Sequence, residues 1–363
     1  MYARDGVLLA APFDVERLEV TGEPVAIVDD VLMEAGGVAH FDLSDTGVLI
    51  YAAGEAVTAE GRLVWVDRSG HVDPLPTPTA NYGGQLDIAP DGLWIAVMRS
   101  EGNNSDVWIV DAVRGTLVPF TTDPGEDFSP TWSPDGVTLA FASEMLEAAR
   151  GPQLWWGSAS REAPVEPLAV SSDRETIVPH AWSPDGTRLI VGVVDRQAND
   201  GIWTIVPEAG AELEAFHVTA FREGQAAISP DGAYVAFSSD ESGAREVYLK
   251  RTDGTGGATR VSVDGGTEPL WAPSGAELFY RKGDAAVAVS LETGSSLSIG
   301  APTTLFEGRF IATDRLDNKA SWDIHPDGER FLMVQSVDGE RPAELQFIVN
   351  WHHALDTRAP TGQ

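Results

Sequence analysis

Apolar and polar residues alternate in short runs along the whole chain, and this pattern predicts β-strands. In the run 138–142, Thr-Leu-Ala-Phe-Ala, large apolar side chains alternate with small or polar ones. Comparable strand-length runs occupy residues 93–98 and 106–111. Gly, Pro, Asp and Ser, which favour turns, lie between such runs. Because almost no stretch shows a long helical pattern, the sequence predicts an all-β fold.

A tight-turn motif separates the first two strands of each repeat. Trp-Ser-Pro-Asp-Gly occupies residues 132–136 and again 182–186, and residues 228–232 differ from it only at the first position. Pro presets φ at the first central turn position, Asp accepts backbone hydrogen bonds, and Gly adopts a left-handed conformation. The motif therefore predicts a β-hairpin. Related segments begin at residues 43, 88, 271 and 324.

The spacing of these turns indicates a repeat architecture. The second residues of successive motifs are 43 to 53 positions apart, a period typical of folds built from one repeated supersecondary unit. Each repeat accommodates four short strands, as the blades of a β-propeller do. We therefore expect a single β-propeller of four-stranded blades over residues 1–351, followed by a polar tail at 352–363.

The expected propeller has seven blades and is closed by N- and C-terminal strands. Residues 1–30 resemble the later stretch 277–308 and predict a partial blade, which would join three C-terminal strands within 320–351. Such closure removes exposed strand edges. Eight blades, with the N-terminal strands as their own blade, are the alternative. Full blades are expected to start near residues 38, 84, 127, 177, 223 and 267.

Composition and charge narrow the classes of function. The chain has no Cys, which excludes disulfides, thiolate metal sites and cysteine nucleophiles. A formal net charge of −32 disfavours nucleic acid and anionic lipid surfaces as partners. The sequence has neither a run of about 18 apolar residues nor a signal-peptide pattern at its N-terminus. We therefore expect no membrane insertion, and we expect a monomer.

The repeats resemble those of a known family. The Ser-Pro-Asp-Gly hairpins, with third strands such as 106–111 and 246–249, are similar to TolB-type (WD40-like) propeller repeats over almost the whole chain. A closer similarity is to the C-terminal propeller region of some bacterial eukaryotic-like serine/threonine kinases. The stretches that carry it are 2–6, 17–24, 63–68, 266–269, 277–281 and 330–333.

This resemblance implies a sensory or ligand-binding module, located outside the cytoplasm if the chain derives from such a kinase. The sequence has no Gly-rich phosphate loop, no paired catalytic-loop Asp and Asn, and no Asp-Phe-Gly segment. No kinase activity is therefore expected. Met1 opens directly into strand-like sequence, which suggests that the chain is a segment of a longer protein.

The first strand of each blade in a propeller lines the central channel. Positions two and four residues before the turn's Ser position are often polar, and period-two alternation would turn them towards the channel. We expect a protein or small-molecule ligand at the channel mouth. The predicted ligand-binding residues are Gln85, Asp127, Ser129, Glu223, Gln225, Glu268, Lys319 and Asp323.

Three hypotheses describe this channel. The first is a solvated polar channel without chemistry, which suits a non-catalytic binding module. The second is a Ca²⁺ or Mg²⁺ ion, because carboxylates from several blades can converge on a hard cation. The metal ligands would then be Asp42, Asp87, Glu268 and Asp323.

The third hypothesis is an acid/base pair, His40 with Asp42 or Asp87, in a hydrolase of small esters or lactones. No Gly-x-Ser-x-Gly, Ser-x-x-Lys or His-Glu-x-x-His motif supports this alternative. The serines of the turns recur for conformational reasons and are not expected to be nucleophiles.

Overall fold

A computed structural model describes most of the chain, and every element named below is a β-strand. In this part of the chain, no helix has the length and apolar character needed to cross a membrane. The chain divides into two compact units, residues 1–60 with 338–363 and residues 61–337. The described residues are 1–4, 6–15, 17–32, 39–44, 47–53, 60–102, 104–145, 153–169, 176–194, 200–208, 210–293, 297–312, 319–337, 344–349 and 351.

The first unit contains three small antiparallel sheets among its described residues. Its core consists of buried apolar side chains that include Leu8, Ile27 and Leu49. One sheet joins β1 (Tyr2–Arg4), β2 (Val7–Ala10) and β5 (Val25–Val28), and another pairs β3 (Phe13–Asp14) with β4 (Glu19–Val20). The third joins β6 (Phe41–Leu43), β7 (Val48–Ala53) and β33 (Glu344–Val349).

The second unit contains six antiparallel sheets among its described residues. Sheet 1 joins β10 (Asn81–Ile88), β11 (Trp94–Glu101), β12 (Asn104–Asp111) and β13 (Leu117–Pro119). Sheet 2 joins β14 (Asp127–Trp132), β15 (Thr138–Ser143), β16 (Gln153–Ser158) and β17 (Glu166–Ala169). Sheet 3 joins β18 (Thr176–Trp182), β19 (Leu189–Val194), β20 (Gly201–Ile205) and β21 (Glu214–His217).

The remaining three sheets follow the same plan. Sheet 4 joins β22 (Glu223–Ile228), β23 (Tyr234–Ser239), β24 (Glu246–Arg251) and β25 (Thr259–Arg260). Sheet 5 joins β26 (Thr267–Trp271), β27 (Glu277–Lys282), β28 (Ala285–Thr293) and β30 (Thr303–Glu307), with β29 (Leu297–Ile299) also paired to β28. Sheet 6 joins β31 (Asp323–Ile324), β32 (Arg330–Ser336), β8 (Gly61–Asp67) and β9 (Val72–Pro74).

The six sheets of the second unit form a closed ring. Their first strands β10, β14, β18, β22, β26 and β31 contact one another in this order, and β31 contacts β10. Apolar clusters fill the interfaces between neighbouring sheets; for example, Ile109 of sheet 1 packs in one cluster with Trp132 and Phe141 of sheet 2. Since each sheet buries both faces against its neighbours, the ring has the core arrangement of a β-propeller. This confirms the predicted all-β propeller fold.

The strands that close the ring differ from the sequence prediction. β32 pairs with β8, with Phe331 opposite Val66, so residues 61–74 supply the two outer strands of sheet 6. β33, expected among the closing strands, pairs instead with β7. The second unit contains six sheets among its described residues, and the predicted seven blades, or the alternative of eight, are not confirmed. The polar tail predicted at 352–363 lies outside the described residues.

The repeated turn is stabilised by its own side chains. Ser133 Oγ donates to Asp135 Oδ1 at 2.5 Å and accepts from the backbone N–H of Thr138 at 2.9 Å. Gly136 has φ of +68°, which other residues rarely adopt. The turns at Ser183 and Ser229 form the same pair of bonds. These contacts confirm the structural role predicted for the turn serines.

Candidate functional site

A β-bulge interrupts the first strand of most sheets and changes the direction of its side chains. In sheet 2 the register shifts between Phe128 and Thr131, and Ser129 has φ of +51°. Gln225 and Glu268 occupy the equivalent place in sheets 4 and 5, with φ of +52° and +55°. A bulge inserts an extra residue and re-aims the side chains around it. Simple alternation therefore fails at these positions.

The residues at the bulges connect neighbouring sheets. Gln85 Oε1 accepts the backbone N–H of Ser129 at 2.9 Å, and Gln225 Oε1 accepts that of Glu268 at 3.0 Å. Glu268 Oε2 in turn accepts from the backbone N–H and the hydroxyl of Ser321, at 2.8 and 2.5 Å. These side chains are buried. Their main role in the structure is to connect the inner strands of neighbouring sheets by hydrogen bonds.

A cavity of about 280 Å³ lies where the inner strands of the second unit meet. Pro134 and Pro230 of the repeated turns belong to its wall, which places it at the turn end of the ring. Its polar lining residues are Asp87, Thr131, His180, Gln225, Lys319 and Asp323. Its apolar lining includes Trp132, Trp182, Trp271, Ala181, Ala227 and Leu270. Four residues predicted for the channel or the catalytic pair therefore share one cavity.

Lys319 is the centre of the polar wall. Its ammonium donates to the carboxylate of Asp87, to Thr131 Oγ1 at 3.2 Å and to the Pro130 carbonyl at 3.4 Å. The side chains of Lys319 and Asp87 are only 9% and 14% exposed. The second carboxylate of the wall, Asp323, accepts the backbone N–H groups of Ile88 and Ile324. Three ionisable groups are thus held on one side of the cavity.

His180 of sheet 3 also lines the cavity. The register of sheet 3 shifts between Pro179 and Ala181, so His180 is the extra residue of a bulge. The backbone N–H of Ala226 donates to its Nδ1 at 3.3 Å, which places the proton of the neutral ring on Nε2. Alternation of polar and apolar residues does not predict a bulge. In the sequence, Pro179 directly before His180 was the signal for an irregular strand at this point.

The predicted catalytic set is divided between the two units. His40 and Asp42 are exposed residues of the first unit, whereas Asp87 belongs to the second. Asp42 Oδ1 accepts the backbone N–H of Leu43 at 2.8 Å. The acid/base role of these residues remains a prediction.

The predicted metal ligands do not form a cation site within the described residues. No group of three or more His, Asp or Glu side chains suited to a metal is found there. Lys319 occupies the place beside Asp87 that a metal ion would need, and Glu268 is bonded to Ser321. Ca²⁺ requires six to eight oxygen ligands, so this donor set does not fit it.

The remaining predicted channel residues are buried away from the cavity lining. Asp127 and Glu223 begin the inner strands of sheets 2 and 4 and are almost completely buried. Burial raises the pKa of Asp127 to about 7 and that of Glu223 to about 7. Burial and the neighbouring charge of Asp87 raise the pKa of Asp323 to about 7 as well.

These three carboxyl groups predict that stability falls as pH rises towards neutrality. Their pKa in the folded state exceeds the ordinary value near 4, so between about pH 4 and 7 the folded chain binds more protons than the unfolded chain. Each such proton changes the unfolding free energy by about 1.4 kcal/mol per pH unit. Thermal unfolding should therefore show a higher midpoint at pH 5.5 than at pH 8.

The Asp127→Asn variant provides the control for this pH dependence. In this variant the difference in bound protons between the folded and unfolded chain should decrease by about one, because the amide cannot titrate. The unfolding free energy should therefore depend less steeply on pH. The carboxylates of the turns titrate at lower pH. Hydrogen bonding to Ser133 lowers the pKa of Asp135, so the contribution of Asp135 to stability is lost only in stronger acid. A midpoint that increases from pH 5.5 to pH 8 would contradict the prediction.

The ring of antiparallel sheets, its repeated turn and its axial cavity define a β-propeller, and the fold is similar to that of TolB. No family model matches the chain. The structure of a putative TolB from Agrobacterium tumefaciens superimposes with a TM-score of 0.59 at 18% identity, covering 77% of this chain and 99% of that one. At this level of identity the similarity concerns the fold.

Curated relatives match shorter segments. An uncharacterized peptidase of Bacillus subtilis, YuxL, is 35% identical over 115 residues, which are 29% of this chain and 16% of the relative. The Tol-Pal system protein TolB of Anaeromyxobacter dehalogenans is 41% identical over 59 residues, 16% of this chain and 13% of the relative. The matched segments thus cover less than a fifth of either relative.

Proposed function

We propose that this protein is a non-catalytic binding module that takes a small molecule, or a side chain of a protein partner, into the cavity of residues 61–337. The cavity itself carries the proposal. It is concave, mostly apolar in its wall and supplied with a few convergent polar groups, as binding sites usually are. Its volume of about 280 Å³ suits a small ligand or a single side chain.

Hydrogen bonds within the protein hold the polar groups of the cavity in place before a ligand binds. Asp87 accepts the backbone N–H of Trp132 at 2.6 Å in addition to its bond from Lys319. Asp323 accepts the N–H of Ile88 at 2.8 Å. Since these groups are positioned before a ligand arrives, little ordering entropy opposes association.

The test is a binding screen combined with a variant that fills the cavity. Ala227 lies in the wall, two residues before the turn, at the same offset as Asp87 and Asp323. Ligand-observed NMR with neutral, cationic and anionic aromatic fragments should detect binding to the natural chain. Ala227→Phe should abolish that binding while the chain remains folded.

Ala215→Phe is the matched control, because Ala215 is an exposed residue of the outer strand β21. It should bind the fragments as the natural chain does. The proposal fails if no fragment binds, or if binding persists in Ala227→Phe. Turnover of simple esters that disappears in the same variant would instead support the hydrolase alternative.

We also propose, on the motifs quoted from the sequence, that the module has a sensory or interaction role and lacks kinase activity. The strong negative charge argues against nucleic acid as the ligand. An origin in the C-terminal region of a kinase, and a location outside the cytoplasm, are extensions of this proposal that rest on the sequence resemblance alone.

A further inference from the structure

Building on the proposed binding function, we propose that the cavity selects a small organic cation, an ammonium or guanidinium group with a short apolar body, and places the charge beside Asp323. The ligand class follows from which polar atoms around the cavity are already satisfied and which are available. The relevant groups are Asp87, Lys319, Thr131, His180 and Asp323, contributed by four different sheets or their flanking segments.

Lys319 cannot serve as an anion receptor. An ammonium group has three N–H donors, and those of Lys319 point to three acceptors: Asp87, Thr131 and the carbonyl of Pro130. An anionic ligand would have to displace one of these bonds inside the protein. It would also approach two carboxylates. The only lysine of the cavity therefore serves the protein's own groups.

Asp323 has capacity that the protein does not use. Its Oδ2 accepts the N–H of Ile88 and its Oδ1 accepts the N–H of Ile324, both at 2.8 Å. An ionised carboxylate offers about four acceptor sites, so each oxygen can accept one further bond. Within the described residues, no basic side chain forms an ion pair with Asp323, whereas Asp87 has Lys319.

The formal charge of the cavity is consequently negative. Above the pKa of about 7 that burial and Asp87 give Asp323, two carboxylates and one ammonium leave one uncompensated negative charge in a site of low solvent access. A single positive charge on the ligand balances it, and the low local dielectric strengthens the attraction. A divalent metal is a poorer match, because the described residues offer no cluster of three carboxylate or imidazole ligands.

Aromatic walls complete the fit for an organic cation. The cavity is lined by Trp132, Trp182 and Trp271, each largely buried but with part of its surface in the wall. The faces of Trp rings attract cations, and their edges pack against apolar groups. Ala227 and Leu270 add aliphatic surface. An alkyl or benzyl group attached to the cation would therefore be buried favourably.

A charge series of nearly equal shape tests this inference. Benzylammonium, benzyl alcohol and benzoate are titrated into the natural chain by isothermal calorimetry and by Trp fluorescence. The titrations are made at pH 8, above the pKa of Asp323, and at about 0.15 M salt to screen surface charges. Benzylammonium should bind at least about tenfold more tightly than benzyl alcohol, and benzoate should bind more weakly than either. Ala227→Phe should lose benzylammonium binding, which separates the cavity from general attraction to the acidic surface.

Asp323→Asn identifies the group responsible for the charge preference. In this variant benzylammonium and benzyl alcohol should bind with similar affinity. Asp73→Asn, which alters an exposed carboxylate of β9, should keep the preference. If Asp323→Asn does not fold, the charge series on the natural chain decides alone.

The outcomes distinguish this inference from the proposal on which it rests. If benzyl alcohol or benzoate binds as tightly as benzylammonium and Ala227→Phe abolishes that binding, the cation inference is wrong and the binding module stands. If no probe binds, both are wrong. Preference for benzylammonium that persists in Asp323→Asn would also overturn the assignment to Asp323.

Discussion

Replacing Lys319 with Met should lower the unfolding free energy of the second unit by about 3–5 kcal/mol at pH 8. The substitution leaves the buried carboxylate of Asp87 without its cation and removes the bonds to Thr131 and the Pro130 carbonyl. Burial already raises the pKa of Asp87, and the positive charge of Lys319 opposes that shift. Denaturant unfolding followed by Trp fluorescence measures the loss.

The pH dependence of this loss reveals its origin. In Lys319→Met the pKa of Asp87 should rise further. Asp87 then becomes protonated as the pH is lowered from 8, and the destabilisation should be smaller at pH 5.5. The double variant with Asp87→Asn should recover much of the stability at pH 8. Lys282→Met, at an exposed lysine, should change stability by less than about 1 kcal/mol. An equal loss at both pH values would contradict an electrostatic cause.

Replacing Trp322 with Ala should destabilise the second unit by a similar amount, about 3–5 kcal/mol. Trp322 is 0% exposed, stacks on Phe331 with ring centroids 5.1 Å apart, and donates through Nε1 to the Glu268 carbonyl at 2.9 Å. Alanine would leave a cavity between sheets 5 and 6 and an unsatisfied carbonyl. The measurement is the shift of the denaturant midpoint at constant slope.

Two further variants separate packing from hydrogen bonding at this position. Trp322→Phe should recover most of the stacking and lose about 1–3 kcal/mol for the carbonyl left without its donor. Trp94→Ala, at a residue that is 41% exposed, should change stability by less than about 1 kcal/mol. A loss at Trp322 no larger than at Trp94 would show that the interface between sheets 5 and 6 repacks without it.

Local chemistry explains why the repeated hairpin could be predicted. The bonds that define the turn join residues two to five positions apart, such as Ser133 with Asp135 and Thr138. The motif of five residues contains the Ser and Asp side chains that form these bonds. Its recurrence therefore predicted the strands, the propeller class and the structural role of the turn serines. Trp132, Trp182, Trp271 and Trp322, which lie at or shortly before the turns, are buried.

Strand partners between distant segments could not be predicted in the same way. β8 has two buried faces, with Leu63, Val64 and Val66 inaccessible to solvent, so it suits a position inside a sheet next to β32. β33 carries an equally regular strand pattern, yet it pairs with β7. Alternation reports that a segment is a strand, whereas the neighbour is decided by packing over the whole unit. The prediction that residues 1–30 join the C-terminal strands required knowing which strands are neighbours, and alternation does not give this.

By itself, the sequence determined the all-β class and the hairpin repeat, because each depends on residues close together along the chain. Only the tertiary structure decided which polar residues meet. The side chains of the bulge residues Gln225 and Glu268 accept hydrogen bonds from the neighbouring sheet or its flanking segment, while Gln225 and the bulge residue His180 also line the cavity. Lys319 reaches Asp87 across 232 positions of sequence, a pairing set by ring closure and by the length of the lysine side chain.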